Sequence, residues 1–296
     1  MKKIVTVQLL LCIMLFSSCI DKKETQKENV SNSRIKSPSL ELIWETDTLL
    51  TTSEAVLYDA SSQIIYVANV NNAPWDKDDN GFISTINTKG EIINLKWIEG
   101  LSGPKGMGIL NGKLYVNDID RVVEIEIATK KVTNTYTVED VPHLNDITTS
   151  DNAVYVSGSN SDAIYKIENS ELNEIATDSL GRLNGLSYQK EGIYYATSST
   201  HNFGIYSETN NTFKTLVNGV GHGDGVIKLE NDDFIVSSWQ GEIFYIHSKD
   251  WSKTQLLDTR AQKINAADIA YIPATKTLLV PTFFHNTVMA YKVITH

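Results

Sequence analysis

The chain has 296 residues, of which 41% are hydrophobic and 21% charged, and its formal net charge is −10. This composition is typical of a globular protein, and an acidic balance without a dense basic patch argues against a nucleic-acid partner. The length permits either one large domain or two of ordinary size.

The first 18 residues have the features of an export signal. Two lysines precede an apolar run at residues 4–16 that is shorter than a membrane span, and a Ser-Ser-Cys sequence ending at Cys19 follows it. Small residues directly before a cysteine resemble a bacterial lipobox, which implies that Cys19 becomes the acylated first residue of the mature protein. The alternative is an ordinary secretory leader in which Cys19 has no role.

This interpretation predicts a lipoprotein signal peptide at residues 1–18 and a flexible polar tether at 19–39, which is too hydrophilic to join a core. We therefore expect a protein of the cell envelope, held in the periplasm or at the outer membrane through a lipid on Cys19. Cys12 would be lost with the leader, so we expect no disulfide in the mature domain. Removal of two lysines also takes the charge from −10 to −12.

A strand-forming motif recurs along the rest of the chain. Each copy is followed by a short apolar run within about ten residues, and after the first spacing the copies lie 38 to 43 residues apart. The copies begin at Glu54, Met107, Asn145, Asn184, Asp224 and Ala267. A period near 40 with about four strands per repeat is typical of propeller blades.

The repeats predict an all-β fold, a six-bladed β-propeller at residues 40–296. Blade one is predicted to have strands at 55–58, 63–70, 82–87 and 92–97, and the later blades to span 106–138, 145–176, 184–217, 224–257 and 268–293. An insertion at 71–80 explains the long first spacing. An alternating strand near 40–46 is expected to complete the sixth blade, because closing the ring removes exposed sheet edges.

Equivalent positions on the innermost strands of a propeller form a ring around its central channel. The alignment therefore predicts that Glu54, Asn145, Asn184 and Asp224 converge on one point. Their carboxylate and amide oxygens are hard ligands, which favours a divalent metal and Ca²⁺ first, with Zn²⁺ and Mg²⁺ left open. The alternative is that these residues only form turns, in which Asn and Asp are common.

The same motifs resemble the ligand loops of a calcium-dependent propeller superfamily, which includes the senescence marker protein/gluconolactonase/luciferin-regenerating group and the paraoxonases. The resemblance spans residues 40–293 and implies that Glu54, Asn184 and Asp224 bind the metal, with Asn145 close to metal and substrate. The chain lacks the Glu-Gly-Pro-x-Trp context of the gluconolactonases and a placeable paraoxonase histidine dyad. The resemblance thus supports fold and metal more than lactonase activity.

In a catalytic site, a cation would polarise the carbonyl of a lactone or ester and a nearby base would activate water. Asp224 is one candidate base, and His143 and His222 are others because each lies two residues before a ring position. Both histidines could instead be loop residues bonded to backbone. Further candidates for substrate contact at the channel mouth are Asn145, Asp146, Lys105, Asp268 and His285.

Residues 76–81 match the opening of an EF-hand loop, with Asp, Asn and Gly at the expected places. The twelfth position is Asn87 where a bidentate Glu belongs, and a strand follows in place of a helix. We therefore interpret this segment as a polar insertion that ends in an Asn-Gly turn.

Three functional hypotheses remain open from the sequence. The first is a lipid-anchored, metal-dependent hydrolase of small lactones or esters. The second is a non-catalytic propeller that binds a sugar, peptide or cell-envelope ligand, with an ion that is structural or holds the ligand. The third is a protein-interaction scaffold with no functional ion. Fold alone does not choose among them.

Overall fold

The computed structural model describes residues 37–140 and 142–295. The signal peptide, Cys12, Cys19 and most of the tether predicted from the sequence lie outside the described residues. Within the described part, regular structure consists of 24 strands and two 3₁₀ turns, Arg260–Gln262 and Pro273–Thr275. None of its helices combines the length and apolar character needed to cross a membrane.

The strands form six separate four-stranded antiparallel sheets. Strand β1 (Ser39–Glu45) comes first in the chain but belongs to the last sheet. Blade one contains β2 (Ser53–Asp59), β3 (Ile64–Asn69), β4 (Gly81–Asn87) and β5 (Ile92–Leu101). Blade two contains β6 (Pro104–Leu110), β7 (Lys113–Asp118), β8 (Arg121–Glu126) and β9 (Lys131–Thr137). Blade three contains β10 (Leu144–Thr149), β11 (Val154–Gly158), β12 (Ala163–Glu168) and β13 (Glu171–Thr177).

The remaining three blades repeat this order. Blade four contains β14 (Leu183–Gln189), β15 (Gly192–Thr197), β16 (Asn202–Ser207) and β17 (Thr212–Asn218). Blade five contains β18 (Gly223–Lys228), β19 (Phe234–Ser238), β20 (Glu242–Ile246) and β21 (Lys253–Asp258). Blade six contains β22 (Ala270–Ile272), β23 (Thr277–Pro281), β24 (Val288–Ile294) and β1.

The N-terminal strand closes the ring. β1 pairs antiparallel with β24, so that Leu40 lies opposite Val293 and Leu42 opposite Tyr291. Blade six is thus built from both ends of the described chain, and its outer edge is supplied by the N-terminal segment. The prediction of an all-β, six-bladed β-propeller closed by an N-terminal strand is confirmed.

Apolar side chains fill the spaces between neighbouring blades. One cluster joins Ala55 and Ile83 of blade one to Met107, Leu114 and Val123 of blade two, and the other blade pairs have equivalent clusters. The outermost strands are largely exposed and the innermost largely buried. This gradient in burial follows from the propeller shape. The inner strands are covered by the neighbouring blades on both faces and lie around the central channel, whereas the outer strands face solvent.

The hairpin turns follow the chemistry of the sequence. Between β6 and β7, Asn111 and Gly112 both adopt positive φ, at 52° and 76°. A two-residue turn with positive φ at both positions matches the right-handed twist of the paired strands, and Asn-Gly tolerates it best. The Asn111-Gly112 pair therefore suits the turn between these strands.

Candidate functional site

The innermost strands share an irregularity that turns one polar residue out of the ladder. In β10, Leu144 pairs with Gly158 and Ile147 with Val156, so that two residues of β10 oppose one of β11. A bulge of this kind bends the strand and re-aims the side chain that it frees. The same pattern occurs in β6, β14 and β18, and β2 also has one residue more than its partner at this place, which is Glu54. The second residue of each of these five strands is Glu54, Lys105, Asn145, Asn184 or Asp224.

Blade six has the same offset just before its inner strand. The Ala267 amide donates to the Pro281 carbonyl, and three residues later Ala270 pairs with Leu279. Ile269 packs between blades five and six, as Met107 and Ile147 pack at the equivalent places, so Ala267 is the ring residue of this blade and Asp268 is the equivalent of Asp146.

The strand register thus differs from the sequence alignment in one blade. The alignment placed Met107 in the ring, whereas the structure places Lys105 there, and Ala267 keeps the ring position that the alignment gave it. Met107 is the apolar residue two positions further on and packs between blades one and two. Spacing could have found Lys105, because it lies 40 residues before Asn145.

Three ring residues carry buried oxygens without a partner. Glu54, Asn184 and Asp224 are 4%, 6% and 2% exposed, and Glu54 Oε2, Asn184 Oδ1 and Asp224 Oδ1 accept no hydrogen bond from the residues that the structure describes. Because an unsatisfied buried acceptor is costly, such oxygens usually have a ligand, an ion or ordered water as partner. Asn145 lies beside them and donates from Nδ2 to Ser159 Oγ at 3.3 Å.

Lys105 brings an amino group into the ring. Its side chain is 2% exposed, and Nζ lies 3.6 Å from Glu54 Oε1 and 4.2 Å from the centroid of the Trp75 ring. The ammonium thereby offsets part of the negative charge of Glu54 and Asp224, and the aromatic face adds a cation–π contact.

Without a further cation, the ionised forms of the carboxyl groups of Glu54 and Asp224 are unfavourable. Burial raises the pKa of Glu54, against the opposing effect of Lys105. Burial also raises the pKa of Asp224 well above its usual range, and the charges of Glu54 and Asp146 add to this rise. A cation that reached the ring would reverse both effects.

Asp146 and Asp268 form a separate carboxyl pair. Asp146 accepts from the amides of Ile147 and Leu186, each at 2.6 Å, and hydrogen bonds to Asp268. Burial raises the pKa of Asp146 to about 7 and that of Asp268 well above its usual range. The two residues line a cavity of about 370 Å³ with later inner-strand residues such as Thr148. Neither residue lines the cavity that the ring residues share.

A second cavity, of about 320 Å³, lies over the ring at the channel mouth. Its floor is formed by five ring residues: Glu54, Lys105, Asn145, Asn184 and Asp224. Its walls are formed by Pro74, Trp75, Arg182, Ser198, His222, Trp239 and Phe283. A volume near the lower end of the range for ligand pockets suits a small molecule.

The predicted histidines differ in position. His222 lines the mouth cavity, and burial lowers its pKa, with a contribution from His201 at 4.9 Å between ring centroids. His143 stacks on Trp75 at 4.1 Å, and burial, Arg182 and Lys105 lower its pKa. His285 lies 3.1 Å from Glu45 Oε1 and does not line the cavity.

The insertion at 71–80 brings Trp75 to the mouth. Lys77 forms an ion pair with Asp120 of blade two, and the Asp79 amide donates to Ser102 Oγ at 3.2 Å. A β-carbon on Gly103 would lie 2.8 Å from the Pro74 carbonyl oxygen, so glycine permits this close approach. The segment that matches the start of an EF-hand is thus fixed against blade two.

The sequence predictions missed six wall residues: Pro74, Trp75, Arg182, Ser198, Trp239 and Phe283. One signal could have found Arg182, because it lies two residues before Asn184, as His143 and His222 lie two residues before their ring residues. The aromatic residues lie in connections whose packing depends on contacts distant in sequence. A repeat alignment contains no information on those contacts.

The comparisons with known proteins identify the fold. No family model and no curated protein matches the chain. A streptogramin B lyase structure superposes with a TM-score of 0.65 at 11% identity, covering 87% of this chain and 98% of the other. Luciferin-regenerating enzyme gives 0.61 at 14%, covering 88% and 96%. A chain of the nidogen/laminin complex gives 0.61 at 14%, covering 74% and 84%.

These similarities define the class of protein as a six-bladed propeller of the type shared by streptogramin B lyase and luciferin-regenerating enzyme. At such identities they show the fold alone, since propellers from two enzymes and from the nidogen/laminin complex match about equally well. Function has to be argued from the site.

The ring residues fit a divalent cation through their unpartnered oxygens. In the described ranges, no three His, Cys, Asp or Glu side chains are grouped so as to hold a metal ion. An ion would therefore use the amide oxygen of Asn184 beside the carboxylates of Glu54 and Asp224. Carboxylate and amide oxygens with irregular geometry suit Ca²⁺ better than softer metals.

Proposed function

We propose that this protein is an exported, lipid-anchored propeller that binds a divalent cation, Ca²⁺ first, and hydrolyses a small lactone or ester at its channel mouth. The observation that carries the proposal is the set of three buried, unpartnered oxygens on Glu54, Asn184 and Asp224 beneath an open cavity. Asn145 lies next to them and would contact both ion and substrate.

When bound, the cation would act as a Lewis acid toward the carbonyl oxygen of the substrate. His222 is the better base of the two histidines, because it lines the cavity, whereas His143 is covered by Trp75. Its lowered pKa keeps the imidazole neutral near pH 7 and able to accept a proton from water. Trp75, Trp239 and Phe283 would limit the access of bulk water to the reacting carbonyl.

The test combines calcium binding with turnover. We expect calcium to raise the melting temperature by mass action and a chelator to abolish hydrolysis across a panel of small lactones and aryl esters. Asp224→Asn should weaken calcium binding at least tenfold and reduce turnover, whereas Asp151→Asn, at an exposed turn, should change neither. Turnover that persists in chelator would refute the metal-dependent mechanism.

The second candidate is a non-catalytic binding protein with the same mouth cavity. The observation that favours it is Lys105, whose ammonium already supplies a cation 3.6 Å from Glu54 Oε1. On this hypothesis a sugar, peptide or cell-envelope ligand binds at the ring without bond cleavage. Ligand binding with no turnover on the lactone and ester panel would favour this candidate.

A further inference from the structure

The mouth cavity has an apolar wall formed by blades five and six. The rings of Trp239 and Phe283 both line it and meet edge to face, with centroids 5.4 Å apart. Phe284, which is 60% exposed, extends the same cluster through contacts with both of them. With Trp75 lining the cavity from the blade-one insertion, the cavity presents flat aromatic surface from two separate parts of the ring.

Arg182 also lines this cavity, and most of its hydrogen-bonding capacity is unused. Within the described residues it has no acidic partner, and its guanidinium donates only from Nη1 to the neutral Asn160 Oδ1, at 2.9 Å. A guanidinium has five N–H donors arranged to bind a carboxylate through two parallel hydrogen bonds. Lys105 differs, because Glu54 and Trp75 already engage its ammonium.

The backbone around Arg182 is held in place on both sides. Asp162 accepts from the amides of Gly181 at 2.9 Å and Leu183 at 2.7 Å, and the Arg182 carbonyl accepts from the Ser198 amide at 2.9 Å. Arg182 itself has a φ of 66°, a conformation that costs energy and persists only where neighbouring contacts fix it. Because the backbone at Arg182 is already fixed, only the side chain loses conformational freedom when a ligand binds.

We infer that the natural ligand of the mouth cavity combines a flat apolar ring with a carboxylate group, and that Arg182 binds the carboxylate while Trp75, Trp239 and Phe283 contact the ring. The inference rests on the proposed function only in placing the ligand in this cavity. If the protein is a hydrolase, its substrates are then acidic aromatic lactones or esters. Arg182 would attract the carboxylate of such a ligand, whereas the net negative charge of the rest of the protein would repel it.

The test uses benzoate, benzamide and acetate as probes, with titrations followed by calorimetry and tryptophan fluorescence in calcium and in chelator. Benzoate has both features, whereas benzamide lacks the charge and acetate lacks the ring. We expect benzoate to bind at least tenfold more tightly than either. Arg182→Gln should weaken benzoate binding at least tenfold and leave benzamide within twofold, and exposed Lys214→Gln serves as the charge-matched control.

Three results would overturn the inference: equal affinity of the wild type for benzoate and benzamide, equal loss of both probes in Arg182→Gln, or no measurable benzoate binding by the folded protein. Because the readout is binding, the outcome is separable from the proposed hydrolysis. If the protein prefers benzoate to benzamide but shows no turnover, the hydrolase proposal is rejected and the inferred class of ligand is supported. If neutral lactones are turned over equally well by the wild type and Arg182→Gln, the hydrolase proposal is supported and the inferred class of ligand is rejected.

Discussion

At the scale of single residues, the central feature is the combination of buried carboxylates with one buried ammonium. Buried Glu54 and Asp224 would repel each other as anions, and Lys105 reduces that repulsion. A divalent cation at the unpartnered oxygens would act in the same direction. Lys105 and a bound ion are therefore expected to be partly redundant for stability.

Lys105→Met tests this redundancy, because Met keeps an apolar chain of similar length and removes the charge. Removing one member of a buried ion pair typically costs about 3 to 5 kcal/mol, since the other is left uncompensated. We expect a loss of about this size in chelator and a smaller one in saturating calcium, measured by urea unfolding.

The double variant Glu54→Gln, Lys105→Met provides the control for that experiment. If the two side chains interact as the 3.6 Å distance indicates, Lys105→Met should cost much less in a chain that already carries Glu54→Gln. A cost that is the same with and without calcium, and in both backgrounds, would show that Lys105 acts through packing alone.

At the scale of elements, the repeated bulge explains how much of the site the sequence could predict. Asn145, Asn184 and Asp224 were predictable because each begins a short polar motif before a strand, at a spacing near 40. Lys105 was predicted at the channel mouth but not in the ring, because Met107-Gly108 imitates that motif two residues later, and the pairing of Pro104 with Asp118 fixes the register. Local patterns specify strands, whereas strand register depends on the partner.

Blade two offers a prediction about the coupling of three neighbouring strands. Buried Glu124 on β8 accepts from Lys113 Nζ and Thr133 Oγ1, both at 2.6 Å, and from the Tyr136 hydroxyl at 3.0 Å. Burial alone would raise its pKa, but these donors outweigh burial and lower it. The pKa of Glu124 is lower in the folded state than in the unfolded state, where it is about 4.3. Ionised Glu124 therefore stabilises the fold, and this contribution is fully present at pH values above the pKa of the unfolded state.

Glu124→Gln should therefore cost about 1 to 3 kcal/mol at pH 7, since the charge-assisted bonds on β7 and β9 are weakened. The difference from the wild type should shrink as the pH falls below about 4 and Glu124 becomes protonated. Urea unfolding at pH 7 and pH 3.5 measures it, with exposed Glu174→Gln as control. A difference that does not change between the two pH values would contradict the ionic origin.

At the scale of the whole molecule, the fold was predictable and the mouth was not. The repeat period, the alternating strands and the need to cover sheet edges together specify a closed six-bladed ring, and each of these signals is local or periodic. The walls of the cavity come from connections, and the positions of Trp75 and Trp239 depend on contacts between blades. The chemical class of the ligand can therefore be inferred only from the folded structure, in which these wall residues come together.

The envelope location is a prediction for the full-length chain. We expect Cys19→Ala to move the protein from the membrane fraction to the soluble fraction of the cell envelope, because a lipid anchor requires the cysteine thiol. Fractionation with immunodetection, and metabolic labelling with a fatty acid, would measure this. Cys12→Ala should leave anchoring unchanged. A Cys19→Ala protein that stays membrane-bound would reject the lipobox.

Ring closure yields the last prediction. β1 is mostly exposed, but its pairing with β24 is what protects the outer edge of blade six. A chain that starts at residue 47 loses this strand and leaves β24 as an unpaired edge, which favours aggregation. We expect it to unfold at lower urea concentration, with a broader transition, than a chain starting at residue 37, which keeps β1. An added peptide with the β1 sequence should partly restore stability by filling the vacant edge, and equal stability of the two chains would show that closure contributes nothing.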